Sequence, residues 1–364
     1  MEALAWITLT VWSLMLAVSV VNLASTWQPV EIPYDQQELV SVLIPARNEE
    51  KNLPRLLDAL LKIRYPNLEI VVCDDHSTDA TAQILVRYSL LDNRIQWFRG
   101  RELPKGWTGK NFACHQLSEK SSGSFLLFLD ADVEPSPQLT TELVGLMKSK
   151  KLSLLSLFPK QQMRTLGEKL TVPLMDWILL SLLPLPLVAW SRRSSLAAAN
   201  GQCMLFEADG YRAMKWHQLV RSITVDDITI SRLVKKAGQR MAVLPGKNLI
   251  SCRMYDNYAQ AISGFARNLH EYFGGSTLLA TVFWLLAGIL PLLLPIVHPT
   301  KITLIVWGLI AMNRMVVELT THQQLTGRFL LHPLQMLAMG QILFKRMASV
   351  THKKTVWKDR EIPL

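Results

Sequence analysis

The sequence predicts an α/β fold in which a mostly parallel, Rossmann-like sheet is flanked by helices. Short apolar runs alternate with amphipathic stretches over residues 38–272, which is the pattern of strands joined by covering helices. Polar motifs follow several of these runs, and doubly wound sheets bind ligands at the carboxyl ends of their strands. In addition, uncharged apolar stretches lie on either side of this region, at residues 5–24 and 276–297.

Five apolar runs are the candidate strands, and runs of this kind are buried on both faces of a sheet. The stretch after the first run has leucines at three-residue and four-residue spacing, which predicts an amphipathic helix that tolerates Pro54 in its first turn. The strands are predicted at residues 39–45, 68–73, 94–98, 124–129 and 152–158.

A membrane anchor is predicted at the N-terminal end, over residues 1–27. The uncharged stretch within it has about the length that crosses a bilayer core. A cleaved signal peptide is the alternative, but the start lacks a basic n-region and the apolar run is longer than an h-region. We therefore expect a retained helix.

Further membrane segments are expected after the α/β domain. One of them contains Arg314 and Glu318, which share a helix face and can pair there. A shorter apolar stretch could either cross the membrane or lie on its surface. The positive-inside rule favours the surface, because the basic tail then stays with the α/β domain in the cytoplasm of a multi-pass cell-membrane protein. The predicted ranges are 274–350 for the whole region, 276–297 and 302–322 for the spans, 329–346 for the uncertain stretch and 351–364 for the tail.

Residues 170–190 are apolar but contain Pro173, Asp176, Pro184 and Pro186, which a membrane span would tolerate poorly. We expect an apolar helix at the membrane interface. A helix buried in the protein core is the alternative that length and periodicity leave open.

Composition limits the partners. The net charge of +10 suits an anionic membrane surface. Nucleic acid is not expected as a partner, because the basic residues are scattered and no DNA- or RNA-binding motif accompanies them. The four cysteines stand far apart without a CxxC pair, so we expect reduced, mostly buried thiols, as in a reducing compartment.

Polar loops follow the first two predicted strands and would form one rim. Pro45, Arg47 and Glu49 lie in or at the first loop, and Asp74 and Asp75 lie at the second. Carboxylates there can accept hydrogen bonds from a nucleobase or from ribose hydroxyls, while backbone N–H groups approach phosphate. These residues are therefore candidates for binding a nucleotide.

Asp130 and Asp132 follow the apolar run FLLFL. Residues i and i+2 of a strand face the same side, so both carboxylates are expected to point into one cleft. Two carboxylates among buried apolar residues are costly unless a cation or partner neutralises them. Mg²⁺ or Mn²⁺ would supply that charge and bridge the carboxylates to a diphosphate. The pair predicts a divalent-metal site.

Asp226 and Asp227 precede a helix and form the second acidic pair. Asp227 is the candidate general base, which would remove a proton from an acceptor hydroxyl, with Asp226 beside it. Capping is the alternative for Asp226 and the preferred explanation for Asp79. Lys110 and Arg267 are candidate diphosphate contacts, although either residue type alone is more often a solvated surface charge.

Five motifs, taken in order, resemble those of the family 2 glycosyltransferases of GT-A fold. The match covers residues 39–235. The segment LPKGWTGKNFACHQ and the tail Val356-Trp357-Lys358-Asp359-Arg360 are similar to a membrane-bound subgroup associated with carotenoid and hopanoid glycosylation. The five motifs are IPARNEE, VVCDDHSTDAT, FLLFLDADV, ANGQCMLF and VDDITISRL.

The resemblance implies a nucleotide-diphosphate sugar donor, a divalent metal, inversion at the anomeric carbon and a membrane lipid acceptor of carotenoid, hopanoid or glycerolipid type. By position it assigns Asp74 and Asp75 to the nucleoside. It assigns Asp130 and Asp132 to the metal and diphosphate, and Asp227 to base catalysis.

Several departures from the family pattern bear on the reaction. The base motif is usually Glu-Asp and is Asp226-Asp227 here, which keeps the second carboxylate. The QxxRW element of processive synthases is absent after residue 250, where GFARNL is a candidate for its place; this favours transfer of a single sugar. Asp359 stands where the subgroup commonly has Gly.

Two other functions stay open. One is transfer to polyisoprenyl phosphate, which needs no base because the acceptor is already anionic. The other is a non-catalytic membrane scaffold that binds nucleotides, and the intact set of carboxylates argues against it.

Overall fold

The computed structural model describes residues 2–25, 38–297, 301–323, 328–350, 354–357 and 360–363. The strands of these ranges are β1 Val40–Ala46, β2 Leu68–Asp74, β3 Ile95–Arg99, β4 Phe125–Leu129, β5 Val133–Pro135, β6 Leu154–Phe158, β7 Lys160–Gln161, β8 Cys203–Glu207, β9 Met241–Pro245, β10 Ile250–Cys252, β11 Lys354–Trp357 and β12 Arg360–Pro363. The helices are α1 Glu2–Ala24, α2 Leu53–Leu60, α3 Thr81–Leu91, α4 Gly109–Lys120, α5 Leu139–Lys150, α6 Leu166–Thr171, α7 Pro173–Leu182, α8 Leu185–Trp190, α9 Ala208–Met214, α10 Trp216–Leu219, α11 Asp226–Lys236, α12 Tyr258–Asn268, α13 Thr277–Phe283, α14 Leu290–Val297, α15 Lys301–Thr320 and α16 His332–Val350.

The central sheet has the strand order β3-β2-β1-β4-β8-β6-β9. Strand β8 runs antiparallel to both of its neighbours, and the other pairs are parallel. The predicted α/β fold is confirmed, and the five predicted runs form β1 to β4 and β6. Strand β8 was not predicted, because its short run CMLFE enters outside the alternation of strands and helices. A smaller sheet has the order β5-β10-β7, and β11 pairs with β12.

The two faces of the sheet belong to two apolar cores, because successive side chains of a strand point to opposite faces. In β1, Val42 and Ile44 belong to one core and Leu43 to the other. Leucines of α2 and α5 cover the first face. The second core continues without a break from the sheet into the apolar helices α1, α15 and α16. The α/β domain and the helical region therefore pack as one body.

The four cysteines are free and buried. This agrees with the expectation of reduced thiols.

Three helical segments of the described ranges are long and apolar enough to cross a membrane: Glu2–Ala24, Thr277–Ile296 and Lys301–Thr320. They coincide with the three expected spans. The second is continuous through α13, a π-helical turn at Trp284–Ile289 and α14. Helix α16, which covers the uncertain stretch at 329–346, is not among them, and it packs along α12 and α6 of the α/β domain. Of the expected basic tail, residues 351–353, 358–359 and 364 lie outside the described ranges.

The apolar stretch 170–190 is broken into the end of α6, α7 and α8 rather than forming one interfacial helix. Helix α7 packs against α1 and α15, and its residues from Leu174 to Ser181 are all buried. The prolines explain the breaks, since Pro173 begins α7 and Pro184 precedes α8. The middle of the stretch is thus a buried helix, whereas Leu187 and Trp190 of α8 stay exposed.

A buried polar network holds α7 between α1 and α15. Asn313 Oδ1 accepts a hydrogen bond from Trp177 Nε1 at 3.0 Å. Asn313 Nδ2 donates to Ser19 Oγ at 2.9 Å and to Ser181 Oγ at 3.2 Å. These groups lie in an apolar region, so their hydrogen bonds also fix the relative positions of the three helices.

We expect Asn313→Leu to lower the thermal unfolding midpoint of the detergent-solubilised protein. The change leaves the indole N–H of Trp177 without its partner, and an unsatisfied buried polar group costs about 1–3 kcal/mol. The control is Asn93→Leu at an exposed loop position, which should leave the midpoint unchanged. Equal midpoints for the two variants would contradict the structural role of the network.

Candidate active site

The loops after β1 and β2 meet at the carboxyl edge of the sheet, where Ala46 is paired with Asp74. Asp74 and Asp75 are buried. Asp74 Oδ1 accepts a hydrogen bond from Ser77 N at 3.0 Å, which tightens the turn after β2. The structure therefore brings the two candidate nucleotide-binding acids to the predicted rim, and one of them also shapes it.

Arg47 braces the same two loops. Its Nη1 donates hydrogen bonds to the carbonyl oxygens of Asp75 at 2.6 Å and His76 at 3.1 Å. Pro45 is half-buried at the end of β1. The sequence proposed Arg47 as a ligand contact, and the structure shows that it also holds the rim together.

Asp79 lies just before α3. Its carboxylate accepts hydrogen bonds from Thr81 N at 3.0 Å and from Glu50 N at 3.0 Å. Burial raises the pKa of Asp79, but these hydrogen bonds and that of the Thr81 hydroxyl outweigh burial, so the pKa lies below its usual value. Asp79 thus stabilises the turn before α3 and the neighbouring loop, while the N-cap residue of α3 is Ala80, which makes no side-chain cap.

Asp130 and Asp132, which we call the first carboxylate pair, lie in the turn between β4 and β5. The prediction placed them on one face of a strand, but β4 ends at Leu129, so the turn rather than strand alternation brings them together. Asp132 accepts hydrogen bonds from Gln202 Nε2 at 3.3 and 3.2 Å. Burial, the charge of Asp130 and the charge of Glu49 raise the pKa of Asp132 to about 6.

Lys110, in the first turn of α4, is the direct partner of the first pair. Its Nζ lies 2.7 Å from Asp130 Oδ1 and 2.9 Å from Oδ2. Burial lowers the pKa of Lys110, but the carboxylates of Asp130 and Asp226 outweigh burial, so the pKa lies above its usual range. A positive charge is unfavourable in the first turn of a helix. The two nearby carboxylates explain why a lysine nevertheless occupies this position. Lys110 is thus a half-buried ion-pair partner and not a solvated surface charge.

Asp226 and Asp227, the second carboxylate pair, begin α11. Asp227 accepts hydrogen bonds from Gly201 N at 2.8 Å and from Ile228 N at 2.7 Å. Burial and the charge of Asp226 raise the pKa of Asp227 to about 6. The N-cap residue is Val225, so the capping alternative for Asp226 is wrong.

A buried chain of polar groups stands behind Asp226. His217 Nε2 lies 3.7 Å from Asp226 Oδ2, and His217 Nδ1 lies 2.6 Å from the Tyr211 hydroxyl. Burial and the charge of Lys110 lower the pKa of His217 to about 3, so the ring is neutral. The sequence reasoning missed this support, because neither residue belongs to a recognisable motif.

Arg267 of α12 lies near Tyr255, which is also close to the first carboxylate pair. Burial raises the pKa of Tyr255 to about 12, with Arg267 lowering it and Asp132 raising it, so the phenol lies near both charges. A Cβ atom at Gly264 would come 2.0 Å from the Tyr255 hydroxyl oxygen. The Gly of GFARNL therefore lets α12 approach Tyr255, which faces the site.

Gly201 and Gln202 are site residues to which the sequence assigned no role. A Cβ atom at Gly201 would lie 3.3 Å from Lys110 Nζ and 3.5 Å from Asp227 Oδ2, so the backbone fills a narrow space between the two carboxylate pairs. The available signal was their motif, ANGQCMLF, which is part of the family resemblance.

The first carboxylate pair fits a divalent metal that takes its remaining ligands from a substrate. No three His, Cys, Asp or Glu side chains in the described ranges could hold a metal together, but Mg²⁺ and Mn²⁺ often bind one or two carboxylates plus phosphate oxygens and water. The raised pKa of Asp132 shows that Lys110 leaves its charge uncompensated. Beside it, buried Gln202 Oε1 has no hydrogen-bond partner among the described residues.

Comparison with protein families places this site in a known context. Residues 41–186 match the model of glycosyl transferase family 2. The chain carries a family 2 glycosyltransferase domain. The match contains both rim loops and the first carboxylate pair, while the second pair lies beyond it.

Two proteins similar to parts of this chain are named after lipids. A 4,4'-diaponeurosporenoate glycosyltransferase of Staphylococcus haemolyticus is 25% identical over 233 residues, which are 63% of this chain and 60% of that protein. A beta-monoglucosyldiacylglycerol synthase of Nostoc is 30% identical over 115 residues, 31% of this chain and 24% of that protein. The alignments thus span less than two thirds of either relative.

The fold of the glycosyltransferase domain is also found in a solved structure, that of a mannosyltransferase from Pyrobaculum calidifontis in complex with GDP-Man and Mn²⁺. The two chains are 15% identical with a TM-score of 0.56, over 95% of this chain and 99% of the other. This likeness confirms the GT-A fold class.

We expect Asp132→Asn to raise the unfolding midpoint at pH 7.5 in the absence of divalent metal. An acid whose pKa is raised to about 6 in the folded state destabilises that state only when it is ionised. The increase in midpoint caused by Asp132→Asn should therefore vanish well below pH 6. Mn²⁺ with a nucleoside diphosphate should raise the midpoint of the wild type, as any ligand of the folded state does.

The same additions should leave Asp132→Asn nearly unchanged. Asp209→Asn, at an exposed position in the first turn of α9, is the control and should respond like the wild type. A full Mn²⁺ response in Asp132→Asn would contradict the metal assignment.

Proposed function

We propose that this protein transfers one sugar from a nucleotide-diphosphate sugar to a hydroxyl or carboxyl group of a membrane lipid, with inversion at the anomeric carbon. The observation that carries the proposal is that two carboxylate pairs from distant parts of the chain lie close to Lys110. One pair suits a metal diphosphate and the other suits a base. Inversion needs a base and a leaving group on opposite sides of the reacting carbon.

The donor would lie along the carboxyl edge of the sheet. Asp74 and Asp75 would accept hydrogen bonds from the nucleoside, with Pro45, Arg47 and Glu49 forming the wall opposite. Lys110 and Arg267 carry positive charge towards the diphosphate from two different sides of the site. The GDP-Man and Mn²⁺ bound to the mannosyltransferase of like fold support a donor of this class.

A divalent cation held by Asp130 and Asp132 would neutralise the charge that develops on the departing diphosphate. Lys110 would also act on the second carboxylate pair. It is the ion-pair partner of Asp130, and it lies close enough to Asp226 for that carboxylate to raise its pKa. It would keep the acids of the two pairs from repelling each other across the donor.

Asp227 is the proposed base. Two backbone N–H groups hold its carboxylate, which fixes its direction. A pKa of about 6 keeps it ionised at neutral pH while leaving it more basic than an ordinary Asp, as proton transfer from a hydroxyl requires. Burial and the charges of Asp227 and Asp176 raise the pKa of Tyr272 well above its usual value, so this phenol lies near both the base and α7.

The acceptor would arrive from the membrane. Helix α7 packs against the candidate spans α1 and α15, and its Asp176 and the base Asp227 both lie near Tyr272. Relatives named for a carotenoid acid and for a diacylglycerol lipid support a lipid acceptor. We further propose that the protein is a multi-pass protein of the cell membrane with its glycosyltransferase domain in the cytoplasm, in line with the positive-inside rule.

Membranes that contain the protein should move label from one radiolabelled nucleotide sugar of a panel into the lipid extract. The transfer should stop when EDTA removes divalent metal and return when Mn²⁺ or Mg²⁺ is restored. The control is membrane from the same host without the protein. Label that stays in the aqueous phase with every donor would contradict the proposal.

Asp227→Asn should lower lipid-dependent transfer by a factor of about 10² to 10⁴, the usual contribution of a general base. Donor binding, measured by equilibrium dialysis with labelled nucleotide, should stay within the range of the wild type. Asp209→Asn again serves as the matched control and should transfer normally. Normal transfer to a phosphate acceptor by Asp227→Asn would instead favour polyisoprenyl phosphate.

The transfer rate should fall as the pH drops through about 6, because protonated Asp227 cannot accept a proton. In Asp226→Asn the neighbouring negative charge is lost, so the pKa of Asp227 falls and the acid limb of the pH–rate profile moves to lower pH. An acid limb that moves to higher pH in this variant would show that Asp226 does not raise the pKa of the base.

A further inference from the structure

The end of α1 is fixed to the turn between α7 and α8. Asn22 Nδ2 donates hydrogen bonds to the carbonyls of Leu180 at 2.9 Å and Leu183 at 3.0 Å. Asn22 Oδ1 accepts a hydrogen bond from Leu185 N at 2.7 Å. Asn22 lies in the last turn of a candidate membrane span, so α8 starts where the apolar core of the bilayer would end.

Residues 182–193, which we call the interfacial segment, carry exposed apolar side chains beside this point. Leu182, Leu187 and Trp190 are exposed, Trp190 by 78%. Helix α8 has six residues and is therefore about 9 Å long. Because Leu185 N is hydrogen-bonded to Asn22, the far end of α8 lies about one helix length from the end of the candidate span.

Two arginines follow Trp190 directly. Arg192 and Arg193 are exposed, and neither forms an ion pair within the described ranges. Segments that lie on anionic membranes combine exposed Trp and Leu side chains with basic side chains that form no ion pair within the protein. The interfacial segment has this composition. Binding of a protein partner to these side chains would not explain why the interfacial segment begins at the end of a candidate membrane span.

One hydrogen bond connects the interfacial segment to the candidate base. Lys235, near the end of α11, is only 3% exposed, and its Nζ donates to Ser191 O at 2.9 Å. Helix α11 begins with Asp226 and Asp227. A buried ammonium with a carbonyl partner is costly to leave unbound, so the position of Ser191 and the position of α11 constrain each other.

We propose that the interfacial segment lies on the anionic lipid surface next to α1, and that Lys235 transmits this contact to α11 and so to the second carboxylate pair. The lipid surface is both the source of the acceptor and the condition for full activity. The coupling to activity depends on the proposed function, whereas the lipid contact does not.

The lipid contact can be measured without turnover. A cysteine at Leu187, labelled with an environment-sensitive fluorophore, reports on the segment, and the four native cysteines are buried. In nanodiscs that contain phosphatidylglycerol the emission should shift to the blue relative to phosphatidylcholine alone. The same label at Leu90, which is exposed on α3 of the opposite face, is the control and should not respond.

Removing the two charges should weaken this contact. In the Leu187-labelled protein, R192Q with R193Q should reduce the response of the label to phosphatidylglycerol. The affinity of the interfacial segment for the anionic lipid surface should fall by about five-fold per arginine removed. The exposed pair Lys51→Gln with Arg87→Gln removes the same charge elsewhere and should change nothing. If the emission of the Leu187 label does not change with phosphatidylglycerol in protein without the arginine substitutions, the proposal is overturned.

The coupling is tested with Lys235→Met, which keeps an apolar stem in the buried site. The label should still respond to phosphatidylglycerol, but the transfer rate should no longer rise with it. Lys236→Met, at the exposed neighbouring position, should keep the stimulation. Stimulation that persists in Lys235→Met would overturn the coupling.

Complete absence of transfer in every lipid, with a normal label response, would contradict the proposed function and the coupling while leaving the lipid contact supported. A response that depends on protein concentration rather than on lipid charge would show that a second copy of the chain covers the segment, and would overturn the proposal.

Discussion

The ammonium group of Lys110 lies between two carboxylate pairs that come from distant parts of the chain. It binds Asp130 directly and is close enough to Asp226 for that charge to raise its pKa. The turn after β4, the start of α4 and the start of α11 must therefore converge on one point. Burial, to which the charges of neighbouring acids add, raises the pKa values of Asp132 and Asp227. A raised pKa suits Asp227 to the proposed role of base, and a divalent cation would offset the burial of the Asp132 carboxylate.

The second constraint is that the sheet and the apolar helices share a core. Side chains of β4 and β8 that face away from α2 pack in the same cluster as those of α1, α15 and α16. Helix α7 enters this cluster and is held there by Asn313. The sheet and the apolar helices are consequently joined by direct packing, without a long loop between them. The lipid acceptor proposed above is consistent with this arrangement.

Much of the fold was predictable because buried strands and membrane spans leave strong local signals. The runs that became β1 to β4 and β6 are continuous and apolar, and the three long apolar helices stand out by length alone. Strand β8 was missed because an antiparallel insertion into a parallel sheet depends on its neighbours. The stretch 170–190 was predicted at the membrane interface, and only packing against α1 and α15 decided that α7 is buried.

For the site, the sequence by itself determined which acids could carry the chemistry, since Asp74, Asp130, Asp132 and Asp227 stand in motifs whose order is informative. It also predicted the three candidate membrane spans, because hydropathy and charge are properties of the residues themselves. Only the tertiary structure decided that Lys110 pairs with Asp130 near Asp226, that Gln202 binds Asp132 and that Lys235 donates a hydrogen bond to Ser191. These contacts join segments far apart in the chain. Their energies depend on burial and distance, which no local pattern of residues encodes.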